Sequence, residues 1–276
     1  MGKRCAVQRR RQGSVDGPQA HGEAPEQKNC PGAATAGAAS SGAYLSQDTP
    51  ADAAAPASVD ITELARLLSA GRLATYIDAC RGDKEEAVRL YAWNVAVASA
   101  FWGGFNVLEV AVRNVIHSQL ARLAGREDWW TAGLRLHPFE HQRISDAIST
   151  ARRAKGDGMQ PGHVVAELSF GFWTGLLANR YHQRLWVPAL SQAFPCLTGR
   201  RRDLHRKQES LRKLRNRIAH HEPIFGRDLA ADHDRLVSVL SAISPAAVVW
   251  VQSNSRVPDV LACRTSVTAG VASSAF

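Results

Sequence analysis

The chain has 276 residues, enough for one large domain or two small ones, and it carries a formal charge of +9. Its five cysteines are scattered without a C-x-x-C pair, which argues against a disulfide framework and a structural zinc site. The basic N-terminus is not followed by the apolar segment of a signal peptide, and no apolar run approaches the ~20 residues of a membrane span. We therefore expect a cytoplasmic protein with no membrane partner, no bound metal and no cofactor.

The first 57 residues are rich in Gly, Ala, Ser and Pro and have almost no large apolar side chains. Such a segment cannot bury enough surface to offset the entropy that it would lose on ordering. The composition therefore predicts a disordered tail over residues 1–57.

Helical periodicity begins near Ser58 and continues almost to the end of the chain. Apolar residues recur three and four positions apart, and no stretch shows the period of two that is typical of a strand. Cap residues, glycines and prolines divide this pattern into segments. The expected helices are 61–68, 72–80, a long helix from Asp83 that kinks or breaks at Trp102-Gly103-Gly104, a helix that begins near Val107, 138–155, a segment between Arg180 and Pro195, 198–220, 228–243 and a short stretch from Pro245.

These segments predict an all-α fold, a single helical-bundle domain over 58–263 with a short disordered tail over 264–276. The aromatic-rich stretch 161–177, PGHVVAELSFGFWTGLL, is expected in the core rather than as a platform for stacking bases. His233 is expected on the surface.

Positive charge is concentrated in one part of the chain. Residues 200–217 contain nine Lys or Arg and two acidic residues, a net charge of +7, so the rest of the chain carries only +2. A basic stripe of this kind is typical of a surface that contacts nucleic acid, and it is also compatible with a solvated helix face.

The end of this helix carries the most informative motif of the chain. Its last residues and the loop that follows read LRKLRNRIAHHEP, and they place Arg215, Asn216 and His220 in the pattern R-N-x-x-x-H. Histidine suits acid–base chemistry near neutral pH, and arginine offers a planar charged fork to a phosphate. The alternative is that Arg215 and His220 only cap and pair on a solvated helix end, where cations are favourable.

Helical geometry constrains how these residues can cooperate. Asn216 and His220 lie four residues apart and share a face, whereas Arg215 and His220 lie five apart, roughly 140° around an ideal helix. Pro223 disfavours a helical Glu222, so the helix is expected to fray near His220 and His221. Either this end unwinds or a second copy of the helix supplies the other half of the site.

A second phrase, LEVAVRN, lies on an earlier helix and contains Glu109, Arg113 and Asn114. Glu109 and Arg113 are spaced i, i+4 in the order that favours a helical ion pair. We interpret these three residues as structural or accessory, holding helices of the bundle together.

The two phrases, together with the stretch 161–177, resemble the abortive-infection (Abi-like) branch of the HEPN ribonuclease superfamily, and they come in the order expected for that family. The resemblance implies a metal-independent endoribonuclease that acts as a toxin-type or phage-defence effector. It also implies a homodimer through the motif helix. Under it His220 is the base, with His221 as its backup, Arg215 the phosphate ligand and Asn216 the orienting group, while Arg212, Lys213 and Arg217 bind the RNA backbone.

Two other interpretations remain open. The bundle could bind RNA or a partner without cleaving it, with the basic stripe as the active part. It could also be a HEPN toxin with a nucleotidyltransferase antitoxin; those toxins usually carry a Tyr two residues beyond the motif histidine, where this chain has Glu222.

Overall fold

The structure is a computed structural model that describes residues 60–276. Within this range the chain forms helices and no strand, as one compact helical unit, which confirms the predicted all-α single domain. The segment predicted as a disordered tail, 1–57, lies outside the described residues.

Eleven α-helices are present between residues 60 and 276, and 3₁₀ or π turns connect some of them. In chain order they are α1 (Ile61–Leu68), α2 (Ala70–Ala79), α3 (Lys84–Ala124), α4 (Pro138–Lys155), α5 (Pro161–Glu167), α6 (Phe170–Gly175), α7 (Arg201–Ala219), α8 (Leu229–Ile243), α9 (Pro245–Asn254), α10 (Val257–Ala262) and α11 (Arg264–Thr268).

Helix α3 is the centre of the fold, and α2, α6, α7, α8, α10 and α11 all pack against it. It begins at Asp83, whose carboxylate accepts the backbone N–H of Glu86, and it ends at Gly125 in the left-handed conformation. Its 41 residues span about 60 Å. The helices that pack against α3 are therefore positioned by their contacts along its length.

The break predicted at Trp102-Gly103-Gly104 is wrong, because α3 runs through it without interruption. A Cβ on Gly104 would lie 3.1 Å from Cδ1 of the buried Leu236 on α8. Gly104 thus permits close packing of α3 on α8, and burial of this face outweighs the low helix propensity of glycine.

Helix α3 bears on the expectation that no segment is long and apolar enough to span a membrane. By length and composition α3 could cross a membrane, since an 18-residue window has a mean hydropathy of 1.6, with 39% of that window buried inside the fold. A core helix of a globular domain passes the same test. Asn94 on α3 is buried and accepts hydrogen bonds from the backbone N–H groups of Ile224 and Phe225. Helix α3 therefore packs as the core helix of the bundle.

The aromatic residues expected in the core are found there. Phe170, Phe172 and Trp173 are buried on α6, and Trp129 stacks against Phe172 with 6.4 Å between ring centroids. Trp173 also donates its indole N–H to the carbonyl of Leu168, which satisfies its polar atom.

Two expectations outside the core need correction. The segment between Arg180 and Pro195 forms short 3₁₀ and π turns instead of a helix, because Pro188 interrupts it. His233 is half-buried and packs against Phe101 at 6.5 Å between ring centroids, and burial lowers its pKa.

The tail expected from Arg264 is also wrong, since this residue begins α11. Val267 is buried, the carbonyl of Thr268 accepts a 2.8 Å hydrogen bond from Arg89 Nε, and the guanidinium of Arg264 lies 4.8 Å from the Trp93 ring centre. One apolar residue on a five-residue helix is too weak a periodic signal to be read from sequence.

Candidate functional site: an arginine between two cavities

The motif helix α7 is held by a buried apolar stripe. Leu204, Leu211, Leu214 and Ile218 are buried, and Gln208 fills the gap between the first two. Thr174 on α6 donates to Oε1 of Gln208 at 3.4 Å. This stripe fixes the rotation of α7, and so it fixes which of its polar residues face the neighbouring helices.

The helix ends where Pro223 predicted it to end. Ala219 is its last residue, the N–H of His221 donates to the carbonyl of Ile218 at 3.0 Å, and that of Glu222 donates to Arg217 at 2.8 Å. This pair of bonds is a Schellman cap with His221 in the left-handed position, at φ 55°. Glycine usually occupies that position, so a histidine there is strained.

Arg215 connects α7 with the middle of α3. Its Nε donates a 2.7 Å hydrogen bond to Glu109, and its guanidinium carbon lies 5.5 Å from the centre of the Trp102 ring. The side chains of Arg215 and Glu109 are 32% and 25% exposed, so the pair is accessible to a ligand. Within residues 60–276 the two Nη groups of Arg215 have no hydrogen-bond partner, which leaves them able to donate to a phosphate.

A large cavity of about 890 Å³ opens on one side of Arg215. It lies among α1, α2, α3 and the C-terminal end of α7, and Arg215 and His221 both line it. The backbone carbonyl of His221 accepts a hydrogen bond from Arg72 on α2, which ties the strained turn to this wall. The cavity therefore brings an arginine and a histidine of the motif together within one chain.

A smaller cavity of about 130 Å³ lies on the other side of Arg215. Asn216 lines it, together with Ser169 and the guanidinium-bearing residues Arg143, Arg212 and Arg215. Gly171 makes this approach possible, because a Cβ there would lie 3.3 Å from Cδ of Arg212 and 3.7 Å from Nη1 of Arg143. Three guanidinium groups around one small polar cavity are suited to binding an anion.

The structure separates the two motif histidines. His220 is exposed at the C-cap of α7 and is not among the residues that line the large cavity, whereas His221 is. Arg215 thus has Asn216 on the side of the small cavity and His221 on the side of the large one. Because His221 is six positions after Arg215, the helix has to end between them for the two to share a cavity.

The three residues expected to bind the RNA backbone differ in whether their side chains already have partners within the domain. Lys213 is exposed, and Arg212 is paired with Glu209 at 2.9 Å, which raises the pKa of its guanidinium. Arg217 instead donates to the carbonyl of Pro223 at 2.8 Å from Nη2, so it holds the loop after the motif.

The local ion pair expected on α3 is replaced by one between helices. Glu109 pairs with Arg215, and no salt bridge joins Glu109 to Arg113 between residues 60 and 276. Arg113 Nε lies 3.4 Å from the side-chain oxygen of the exposed Asn114. Glu109 thus joins α3 to α7, through a partner that lies 106 positions along the chain.

Sequence reasoning missed three residues of this region: Trp102, Arg72 and Arg143. Trp102 falls in the predicted kink or break, and its exposure and its contact with Arg215 are visible only in the structure. Arg72 and Arg143 lie on helices far from the motif in sequence, and nothing in their local pattern points to the site. Only the packing of α2 and α4 brings them near α7.

No group of three or more His, Cys, Asp or Glu side chains is placed to hold a metal ion in the part of the chain that the structure describes. Comparison with protein-family models, with curated proteins and with solved structures gives no match.

Proposed function

We propose that this chain is a metal-independent endoribonuclease of the HEPN, Abi-like type. The observation that carries the proposal is that Arg215 and His221 of the motif line one cavity, while Arg215, Arg212, Arg143 and Asn216 line the adjoining one. RNA transesterification without a metal needs a base for the 2′-hydroxyl and a cation for the phosphorane oxygens, and His221 and Arg215 can supply these two groups.

In this mechanism Arg215 binds the scissile phosphate through its free Nη groups, while Glu109 fixes the guanidinium through Nε. His221 takes the proton of the adjacent 2′-hydroxyl, and the 2′-oxygen then attacks phosphorus. The 5′-oxygen of the next nucleotide leaves and takes a proton from water, and His221 returns its proton to the solvent, which gives a 2′,3′-cyclic phosphate and a 5′-hydroxyl. Asn216 donates to a phosphate oxygen or orients the ligand, and His220 remains the alternative base.

The wider roles belong to the same proposal. The protein would act in the cytoplasm as an abortive-infection or toxin-type effector, as a homodimer through the motif helix, with an antitoxin left open. Lys213, with Arg212, would contact the RNA backbone and make its binding sensitive to salt.

The proposal is tested by the product and its metal requirement. Single-stranded RNA incubated with the purified chain should be cut in the presence of EDTA, and the fragments should end in a 2′,3′-cyclic phosphate. Arg215→Ala should lower both the rate and the affinity, because a phosphate ligand acts in the ground state and the transition state. Arg206→Ala is a matched control, since Arg206 is an exposed arginine of the same helix that lines neither cavity. Cleavage that EDTA abolishes would contradict this mechanism.

A second candidate is a module that binds RNA without cutting it. The pairing of Arg215 with Glu109 favours it, because a nearby carboxylate reduces the positive charge that stabilises a phosphorane. In that case RNA would bind with the same salt dependence, but the native chain, with both His220 and His221 present, would produce no RNA fragments.

A further inference from the structure

The large cavity beside Arg215 is more apolar and more aromatic than phosphate chemistry requires. Its walls include Tyr76, Tyr91 and Trp102, and half of the other twelve lining residues are aliphatic. At about 890 Å³ it is within the size range of sites that enclose small organic ligands, and it exceeds what one phosphate needs. This volume and chemistry suit a planar, largely apolar group.

The cavity also presents polar groups at defined positions. Asn94 is buried in its wall, and its Oδ1 accepts the N–H groups of Ile224 at 2.8 Å and Phe225 at 3.1 Å. Because both partners are donors, the amide oxygen is committed to them and the Nδ2 group remains a donor for a ligand. Glu222, in the same wall, supplies an acceptor, so donor and acceptor can both meet the edge of a base.

The large cavity and the small one share a single lining residue, Arg215. Arg215 lines both cavities, and the guanidinium lies 5.5 Å from the ring centre of Trp102, whose side chain remains exposed. Arg72 and Arg215 at the large cavity provide two cationic groups against the one carboxylate of Glu222. This charge favours an anionic ligand whose apolar part enters the cavity.

We infer that the large cavity holds a nucleobase of a single-stranded RNA whose adjacent phosphate binds Arg215. The base lies against Trp102 and the tyrosine-lined wall, and the edge of the base meets Asn94 and Glu222. The site thus favours unpaired nucleotides over a duplex, because a paired base must first lose its pairing and stacking to enter the cavity. This inference rests on the proposed RNA function of Arg215.

The test separates base binding from phosphate binding. A fluorescent 2′-O-methyl octanucleotide, which lacks the attacking hydroxyl, is compared by anisotropy with a sugar–phosphate chain of the same length without bases. The native chain should bind the octanucleotide at least about fivefold more tightly, the lower bound for stacking one base on an aromatic side chain. Ala98→Trp, which fills the cavity from α3, should remove that preference and leave the affinity for the abasic chain unchanged.

Two further variants keep the test decisive. Trp102→Ala should also reduce the preference, and because Trp102 is exposed this change does not threaten folding. Trp250→Ala is the matched control, since Trp250 is an exposed tryptophan of α9 at a different cavity, and it should keep the native preference. Equal binding of the two oligonucleotides by the native chain, or an intact preference in Ala98→Trp and Trp102→Ala, would overturn the base pocket alone. Failure to bind either oligonucleotide would overturn the proposed RNA function as well.

Discussion

At the scale of single residues, His221 has a strained backbone conformation and also lines the cavity beside Arg215. It is one of three non-glycine residues at positive φ between residues 60 and 276, and it lines the cavity that Arg215 also lines. Strain of this kind is often found at functional positions, where the rest of the structure holds the residue in place. Here the hydrogen bond from Arg72 and the Schellman bonds hold the turn.

This interpretation predicts opposite effects on stability at two adjacent histidines. His221→Gly should raise the free energy of unfolding by about 1 kcal/mol, because glycine adopts positive φ without strain. His220→Gly should lower it by about 0.5–1 kcal/mol, since His220 has φ −93° and gains nothing from glycine. Urea unfolding followed by circular dichroism measures both. A loss of stability in His221→Gly would show that the positive φ is not strained.

The sequence predicted the motif residues but not their partners. The pattern around Arg215 and the proline at 223 located the end of the helix correctly, because caps and stops are local signals. It paired Glu109 with Arg113, because i, i+4 spacing is visible in sequence, whereas contact between Glu109 and Arg215 depends on how α3 packs against α7. Which of His220 and His221 lines the large cavity depends on the left-handed backbone conformation of His221. Residue identity alone does not specify that conformation.

At the scale of elements, the continuity of α3 determines the geometry of the site. Glu109 and Trp102 lie seven residues apart on this helix and both contact Arg215, so a kink between them would separate the contacts. Sequence reasoning placed a break there because two glycines normally weaken a helix. The close approach of Leu236 explains why one of them is present.

Alanine substitution at the two glycines tests this packing account. Gly103→Ala should stabilise the protein by up to about 1 kcal/mol, because nothing lies within 4 Å of the new Cβ. Gly104→Ala has the same intrinsic helical gain, but its Cβ would lie 3.1 Å from Leu236, so the gain should be smaller or become a loss. Thermal unfolding of the two variants provides the comparison, and equal gains would contradict the packing role of Gly104.

At the scale of the whole molecule, a second copy of the helix is not needed to bring Arg215 and a motif histidine to one cavity. Arg215 and His221 line the same cavity within a single chain. An exposed stripe on α3 outside the large cavity still carries no charged residue over about three turns; it consists of Gly103, Asn106, Val110 and Asn114. A stripe of this kind is suited to contact with a second copy.

The dimer predicted through the motif helix and this stripe can be tested by one pair of substitutions. Sedimentation at micromolar concentration should show two chains, and Val110→Lys should convert them to monomers by placing charges in the interface. Val249→Lys, at an exposed valine of α9, should leave the dimer intact. If the native chain sediments as a monomer that still cleaves RNA, the dimer is not part of the mechanism.

The central claim is that Arg215 and a motif histidine cleave RNA, and single-turnover cleavage of a labelled RNA tests it most directly. His221→Ala should lower the rate by about 10²–10⁴-fold, the usual effect of losing a general base, while affinity for a 2′-deoxy analogue changes little. His220→Ala should keep most of the rate, since His220 is exposed outside the cavity. A dead His220→Ala with an active His221→Ala would reverse the two histidines. Unchanged cleavage in both variants would contradict the account.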